Sequence, residues 1–198
     1  CMSRGLGDVY KRQLSHTDEA SLFGGTRLLE INKLSNIINQ TIINVIELNK
    51  FTIQICQGAC LSIFMNLGFA CDYRIVCDNT VFYNAFKKIG GLPLGGGPFF
   101  LTKLLGRSRA NQLLLLDDEV NAARSLELGI VDKVVPLADL EETAMRAAQK
   151  ISQLQPRTLG GVKRLTNFSL QELKVYLARE TDELQRVCVQ MGHQRVFA

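Results

Sequence analysis

Apolar residues between Leu29 and Leu48 (Leu29, Ile31, Leu34, Ile37, Ile38, Ile42, Val45 and Ile46) mostly recur at intervals of three and four, with no Gly or Pro among them. That spacing predicts an amphipathic helix. Phe51 to Cys56 reads as a short β-rich run ending at Gly58, and Ser62 stands where it can cap an apolar helix from Ile63 to Ala70. Tyr73 to Cys77 and Val81 to Tyr83 are two further short β runs, parted by the turn pair Asp78 and Asn79. After the glycine-dense IGGLPLGGGPFF, Pro98 suits a first helical turn and predicts a helix that runs to Gly106. Ser108 to Leu116 and Val120 to Leu128 read as helices. Gly129 ends the second, and Ile130 to Val135 reads as a strand closed by Pro136. Leu140 to Leu154 sets apolar residues on one face and Glu141, Glu142, Arg146 and Lys150 on the other, and a final helical pair spans Thr158 to Leu165 and Leu170 to Met191. Strands therefore concentrate in the first half and helices in the second, without an internal repeat.

Composition narrows the class. A chain of 198 residues is expected to form one domain, and 46% hydrophobic with 21% charged residues is globular composition, too apolar for disorder and too interrupted by charge for a membrane span. The formal charge of +4 is scattered, which argues against a nucleic-acid footprint and suits a diphosphate-bearing ligand. Cys1, Cys56, Cys60, Cys71, Cys77 and Cys188 form no C-x-x-C pair and lie in apolar runs, so buried reduced thiols are expected. His16 and His193 have no metal-spaced companion, and no metal site is expected. No stretch has the make-up of a secretory signal, so a cytoplasmic setting is the expectation. The opening CMSRGLGDVYKRQ, Cys1 to Gln13, lacks apolar periodicity and reads as a non-native leader.

Between Phe51 and Pro136 an ordered set of motifs stands out: an apolar helix ending in Ala70-Cys71-Asp72, a strand, the step Phe86-x-x-Ile89-Gly90, a Gly-rich turn, and Ala123-x-x-Leu126-x-Leu128-Gly129-Ile130-Val131. In this order and at these distances they resemble the enoyl-CoA hydratase/isomerase (crotonase) superfamily. The resemblance implies an α/β fold, a crotonase-like superhelix of ββα units with a C-terminal helical region. Residues 1–13 are then the leader, 14–155 a core whose N-terminal part precedes the chain, and 156–198 the helical oligomerisation region. It also implies an acyl-CoA ligand, with CoA as part of the substrate and no separate cofactor, and a homotrimer or hexamer with neither nucleic acid nor membrane as partner.

In that family two backbone N–H groups hold the thioester oxygen as an enolate develops, acting preorganised in a dry site. The resemblance puts one donor in a loop just before Leu14 and the other at Ile63, where the family has a glycine at a helix N-terminus. Isoleucine keeps the N–H, but its branched side chain crowds a place where glycine permits close approach. The two glutamates of the hydratases correspond to Asn66 and Phe86, and neither transfers a proton near neutral pH. The isomerase branch has Phe at the second position and a carboxylate in the turn after a proline. FKKIGGLPLGGGPFFL is similar to that branch, yet the carboxylate position is Leu94. Gly58, Ala59, Tyr83 and Lys87 are the expected substrate-binding positions, Lys87 by reaching CoA phosphates and Tyr83, beside Asn84, by turning inward from its strand. Asp72 reads as a structural hydrogen-bonding residue, and Asp117, Asp118 and Glu119 as a turn and a helix start. Three functions stay open: an isomerase or hydratase with unusual residues, a decarboxylase-like lyase that needs no carboxylate base, and a non-catalytic homologue used for binding or assembly.

Overall fold

The computed structural model describes residues 26–88 and 90–194. The expected leader, His16 and the loop before Leu14 lie outside them. Helix α1 (Thr26–Glu47) is followed by β1 (Ile53–Cys56), β2 (Ala59–Leu61) and α2 (Ser62–Gly68). The next turn of the chain holds β3 (Tyr73–Cys77), β4 (Val81–Tyr83), a 3-10 turn (Ala85–Lys87), α3 (Gly97–Leu105) and α4 (Arg107–Asn111). Then come β5 (Glu119–Asn121), α5 (Ala122–Glu127) and β6 (Lys133–Val135), and the chain finishes in α6 (Leu140–Ser152), α7 (Pro156–Thr166) and α8 (Leu170–Gln194).

Strands stack by turn of the superhelix. β1, β3 and β6 form one parallel sheet, and β2, β4 and β5 a second in which β2–β4 is parallel and β4–β5 antiparallel. Ile53 lies opposite Tyr73 and Ala59 opposite Val81, so each strand pairs with its counterpart one turn later. This is the ββα superhelix expected from the sequence. A parallel sheet is covered on both faces, and β3 shows how alternation divides its side chains. Ile75 and Cys77 pack with Val135 and Leu140 on one face, Val76 with Met65, Phe82 and Leu101 on the other, and none of these three β3 residues has exposed surface. A third cluster joins Ile42 and Ile46 of α1 to Leu173 and Leu177 of α8.

The structure corrects several sequence expectations. Ser62 does not cap α2: it is the first helical residue, buried, and Leu61 stands at the cap without a side-chain bond. β2 and β5 were not expected. Each is three residues long, too short for periodicity to register, and exists because β4 lies between them. Glu119 to Asn121 therefore pairs with β4, and α5 begins only at Ala122, where the Asn121 side chain accepts from the N–H of Arg124 at 2.9 Å. The helix expected over Ser108 to Leu116 is the short α4, which passes into a single π turn at Gln112–Leu116. Ile130 and Val131 are buried core residues ahead of β6 rather than part of it.

One buried ion pair ties the trailing helices to this core. Lys163 of α7 is 6% exposed and donates to Asp72 Oδ2 at 2.7 Å, to the carbonyl of Lys50 at 2.9 Å and to that of Val45 at 3.1 Å. The same Asp72 oxygen accepts from the N–H and hydroxyl of Thr52 at 2.8 and 2.7 Å, the structural role expected of Asp72. A buried ammonium is tolerated when each of its donors is satisfied, whereas removing one partner strands the other charge. Lys163→Met is therefore expected to destabilise the chain by about 3–5 kcal/mol in urea unfolding, and adding Asp72→Asn is expected to restore part of that loss.

Candidate active site

A cavity of about 380 Å³ opens where α1, the start of α2, the 3-10 turn and the Leu92–Leu94 segment meet. Helix α1 contributes Leu34, Ile37, Ile38 and Thr41, and the β2–α2 junction contributes Leu61 to Phe64 with Leu67. Ala85, Phe86, Leu92, Pro93 and Leu94 complete the wall. Thr41 and Ser62 are the polar side chains in this lining, and none of the described residues that form it is ionisable. Such a surface accepts an apolar group and orients it.

The structure brings three of the expected positions to this cavity: Ile63, Phe86 and Leu94. Ile63 is the second residue of α2, so its N–H belongs to the first turn, which has no intrahelical acceptors, and no turn or loop bond among the described residues uses it. Its side chain reaches the Gly95 turn, where a Cβ added to Gly95 would lie 3.2 Å from Ile63 Cδ1. Asn66 lies behind the wall instead. It is 1% exposed, and its Nδ2 donates to the Leu94 carbonyl at 2.7 Å while its Oδ1 has no partner among the described residues. A Cβ on Gly97 would meet Asn66 Nδ2 at 2.5 Å, so glycine at this position is what lets the amide slide under the turn.

The four substrate-binding positions are not brought to the cavity. Gly58 takes a positive φ of 66°, and its N–H donates to Asn79 Oδ1 at 3.0 Å, which makes it the corner between β1 and β2. Ala59 is exposed on β2. Tyr83 points outward at the end of β4, and the inward residue is Asn84, whose Nδ2 donates to the carbonyls of Leu113 and Asp117, both at 2.8 Å. Lys87 turns away to Asp118 Oδ1 at 2.7 Å and the Asp117 carbonyl at 2.8 Å. Its hydrogen bond and charge hold the exposed Asp118 carboxyl below the usual range. Asp117 and Asp118 form the expected turn, which serves as the acceptor for Lys87.

Sequence reasoning missed Glu180. This α8 carboxylate is buried and accepts from the N–H of Gly95 at 2.7 Å and of Gly96 at 3.0 Å, directly behind Leu94. It stands in the buried stripe Leu173, Leu177, Leu184 and Cys188 of α8, and a charged residue inside an apolar stripe was the available signal. Burial pushes its pKa up to about 7, against the opposing pull of the Gly95 and Gly96 N–H groups and of Tyr176.

A sequence profile of enoyl-CoA hydratase/isomerase matches residues 31–195. The chain belongs to the enoyl-CoA hydratase/isomerase family. A trans-2-decenoyl-[acyl-carrier-protein] isomerase of Streptococcus mutans serotype c is 29% identical over 133 residues, which cover 67% of this chain and 51% of that protein. The chain thus spans about half the length of this curated relative. Among solved structures, an enoyl-CoA hydratase from Bacillus halodurans superposes with a TM-score of 0.79 at 22% identity over 86% of this chain and 68% of its own. One from Mycobacterium avium subsp. paratuberculosis gives 0.74 at 27% identity over 82% and 68%. The family assignment and the superhelical fold therefore agree with the motif order.

The raised pKa of Glu180 predicts a pH dependence of stability. Its folded pKa, about 7, lies above the ordinary 4.5, so between those values the folded state holds the proton more tightly. The associated stability is fully present below the unfolded pKa and is lost as pH rises through the folded one. On acidification from about pH 8 to about pH 5, wild type is expected to gain up to about 3 kcal/mol relative to Glu180→Gln in paired urea titrations, since each tenfold difference in proton affinity between the folded and unfolded states is worth about 1.4 kcal/mol.

Proposed function

We propose that the protein holds an acyl-CoA thioester, with the acyl chain in the apolar cavity and the thioester oxygen on the N–H of Ile63, and that it acts with the isomerase branch rather than as a hydratase. The observation that carries this reading is the convergence of Ile63, Phe86 and Leu94 on one apolar cavity. Hydration requires carboxylates that place and activate water. Here Phe86 is apolar and the Asn66 amide is turned to the Leu94 carbonyl. A migrating double bond needs an enolate held while a base takes a proton from one carbon and returns it to another; one N–H donor is worth about 2.7–4 kcal/mol to that charge, and the proton carrier has to come from outside the described lining. The decenoyl group in the name of the streptococcal relative makes a ten-carbon chain the first acyl group to test.

One observation favours a second reading, a homologue that binds acyl groups without turning them over. The Ile63 side chain spans from α2 to the Gly95 turn and occupies part of the wall where a family glycine leaves space. Calorimetric titration with decanoyl-CoA tests binding, and Ile63→Gly separates the readings. If only the backbone donor matters, the variant binds as well as wild type or better. If the variant loses binding while still unfolding cooperatively, Ile63 is not the oxyanion position. On crotonyl-CoA no hydration above the uncatalysed rate is expected, and clear turnover would contradict the isomerase assignment.

We further propose that α7 and α8 carry an oligomer interface, as the family resemblance implies. Its support is the exposure of Val162 (54%), Leu165 (76%), Phe168 (85%) and Val175 (57%) on and between these helices. Sedimentation at micromolar concentration is expected to show a trimer or hexamer, and Phe168→Glu to shift it toward monomer. A monomeric wild type would remove the interface.

A further inference from the structure

We propose that Glu180 is a positioning residue for the cavity: a carboxylate supplied by the C-terminal helix that fixes the Leu92–Leu94 wall by holding the N–H groups of Gly95 and Gly96. It rests on the acyl-site reading above for its functional consequence, although the anchoring itself is independent of any ligand. Gly95 and Gly96 both take positive φ, 77° and 71°. Successive N–H groups in such a turn converge into a nest that receives an anion, and here a side chain of the same molecule fills it. On the cavity side the turn is packed tightly, since a Cβ on Gly95 would lie 3.1 to 3.2 Å from Ile42, Ile38 and Ile63. From the opposite direction Asn66 holds the Leu94 carbonyl. Two buried polar side chains, one from α2 and one from α8, thus clamp the short turn that leads out of the cavity wall.

The ionisation state decides whether the clamp is complete. A carboxylate accepts with both oxygens, whereas a carboxylic acid must direct one O–H away from an N–H donor. No described cation supports the charge. The turn faces Glu180 with backbone N–H groups, α1 contributes the neutral Asn39 near Thr181, and its own helix contributes the Tyr176 phenol. The ion pairs joining α8 to its neighbours, Lys103 with Glu172 and Lys174 with Glu47, are formed by residues two turns or nearly so ahead of Glu180. Ligand affinity should therefore follow the ionisation of Glu180, the ionised form being competent.

The test uses the 198-residue chain and two readouts across about pH 5 to 8.5: the amide NMR signals of Gly95 and Gly96, and calorimetric affinity for decanoyl-CoA. In wild type the two amides should titrate together with a midpoint near neutrality. Affinity should fall by roughly tenfold per pH unit below that midpoint, as for a ligand that needs a shrinking competent fraction. In Glu180→Gln the amides should be flat, and the affinity should keep only the titration of the CoA phosphate, which is then subtracted from the wild-type profile. Amides that do not move in wild type, or an affinity that ignores their midpoint, overturn the proposal even if the variant fails to fold. Titrating amides with no decanoyl-CoA binding at any pH uphold the anchor and sink the acyl-site reading instead.

Discussion

The ammonium of Lys163 has to be satisfied inside the protein, and the groups that satisfy it come from every part that must be held together. Val45 lies in the last turn of α1, Lys50 in the link to β1, and Asp72 immediately before β3. Asp72 in turn fixes Thr52 at the approach to β1. A single cation from α7 therefore sets the height of α1 above the sheet and the position of α7 against both. Hydrophobic burial supplies most of the favourable free energy, but it is non-directional. This pair gives the assembly a definite register, which matters because the cavity is formed between α1 and the sheet-borne α2.

Helix α8 continues the same arrangement on the other side of α1. Leu173 and Leu177 pack on Ile42 and Ile46, Asn39 Nδ2 donates to Thr181 Oγ1 at 3.2 Å, and Gln185 Nε2 donates to Asn32 Oδ1 at 3.0 Å. The helix that forms one wall of the cavity is thus braced from behind along much of its length. Through Glu180 the same helix reaches the opposite wall. None of the described residues that line the cavity is ionisable, yet the buried Glu180 carboxylate stands immediately behind it.

How much of this could be read from the chain depends on the length over which a pattern runs. Helix α1, with six turns of regular apolar spacing, was legible in outline. The motif order from Phe51 to Pro136 carried the superhelical fold. The three-residue β2 and β5 were not legible, because their existence depends on β4 passing between them and not on their own residues. Asp72 was legible as structural, but its partner was not: Lys163 sits in the helix PRTLGGVKRLT beside Arg164, and nothing local distinguishes the buried cation from the exposed one. Of the site positions, the cavity gathers Ile63, Phe86 and Leu94, matched through motif spacing. Gly58, Ala59, Tyr83 and Lys87 lie elsewhere because a β corner, an outward strand position and an acidic turn claim them.

The stacking of strands has one more result. In each sheet the later strand of a pair sits on the earlier one, so among the described residues β1 and β2 have a neighbour on one side only, and both open sides face the same end of the superhelix. The backbone N–H and C=O groups along such an edge are a template for a further strand. A further pair of strands laid on β1 and β2 would continue both sheets at once, by the same turn-to-turn stacking that places β3 on β1 and β4 on β2.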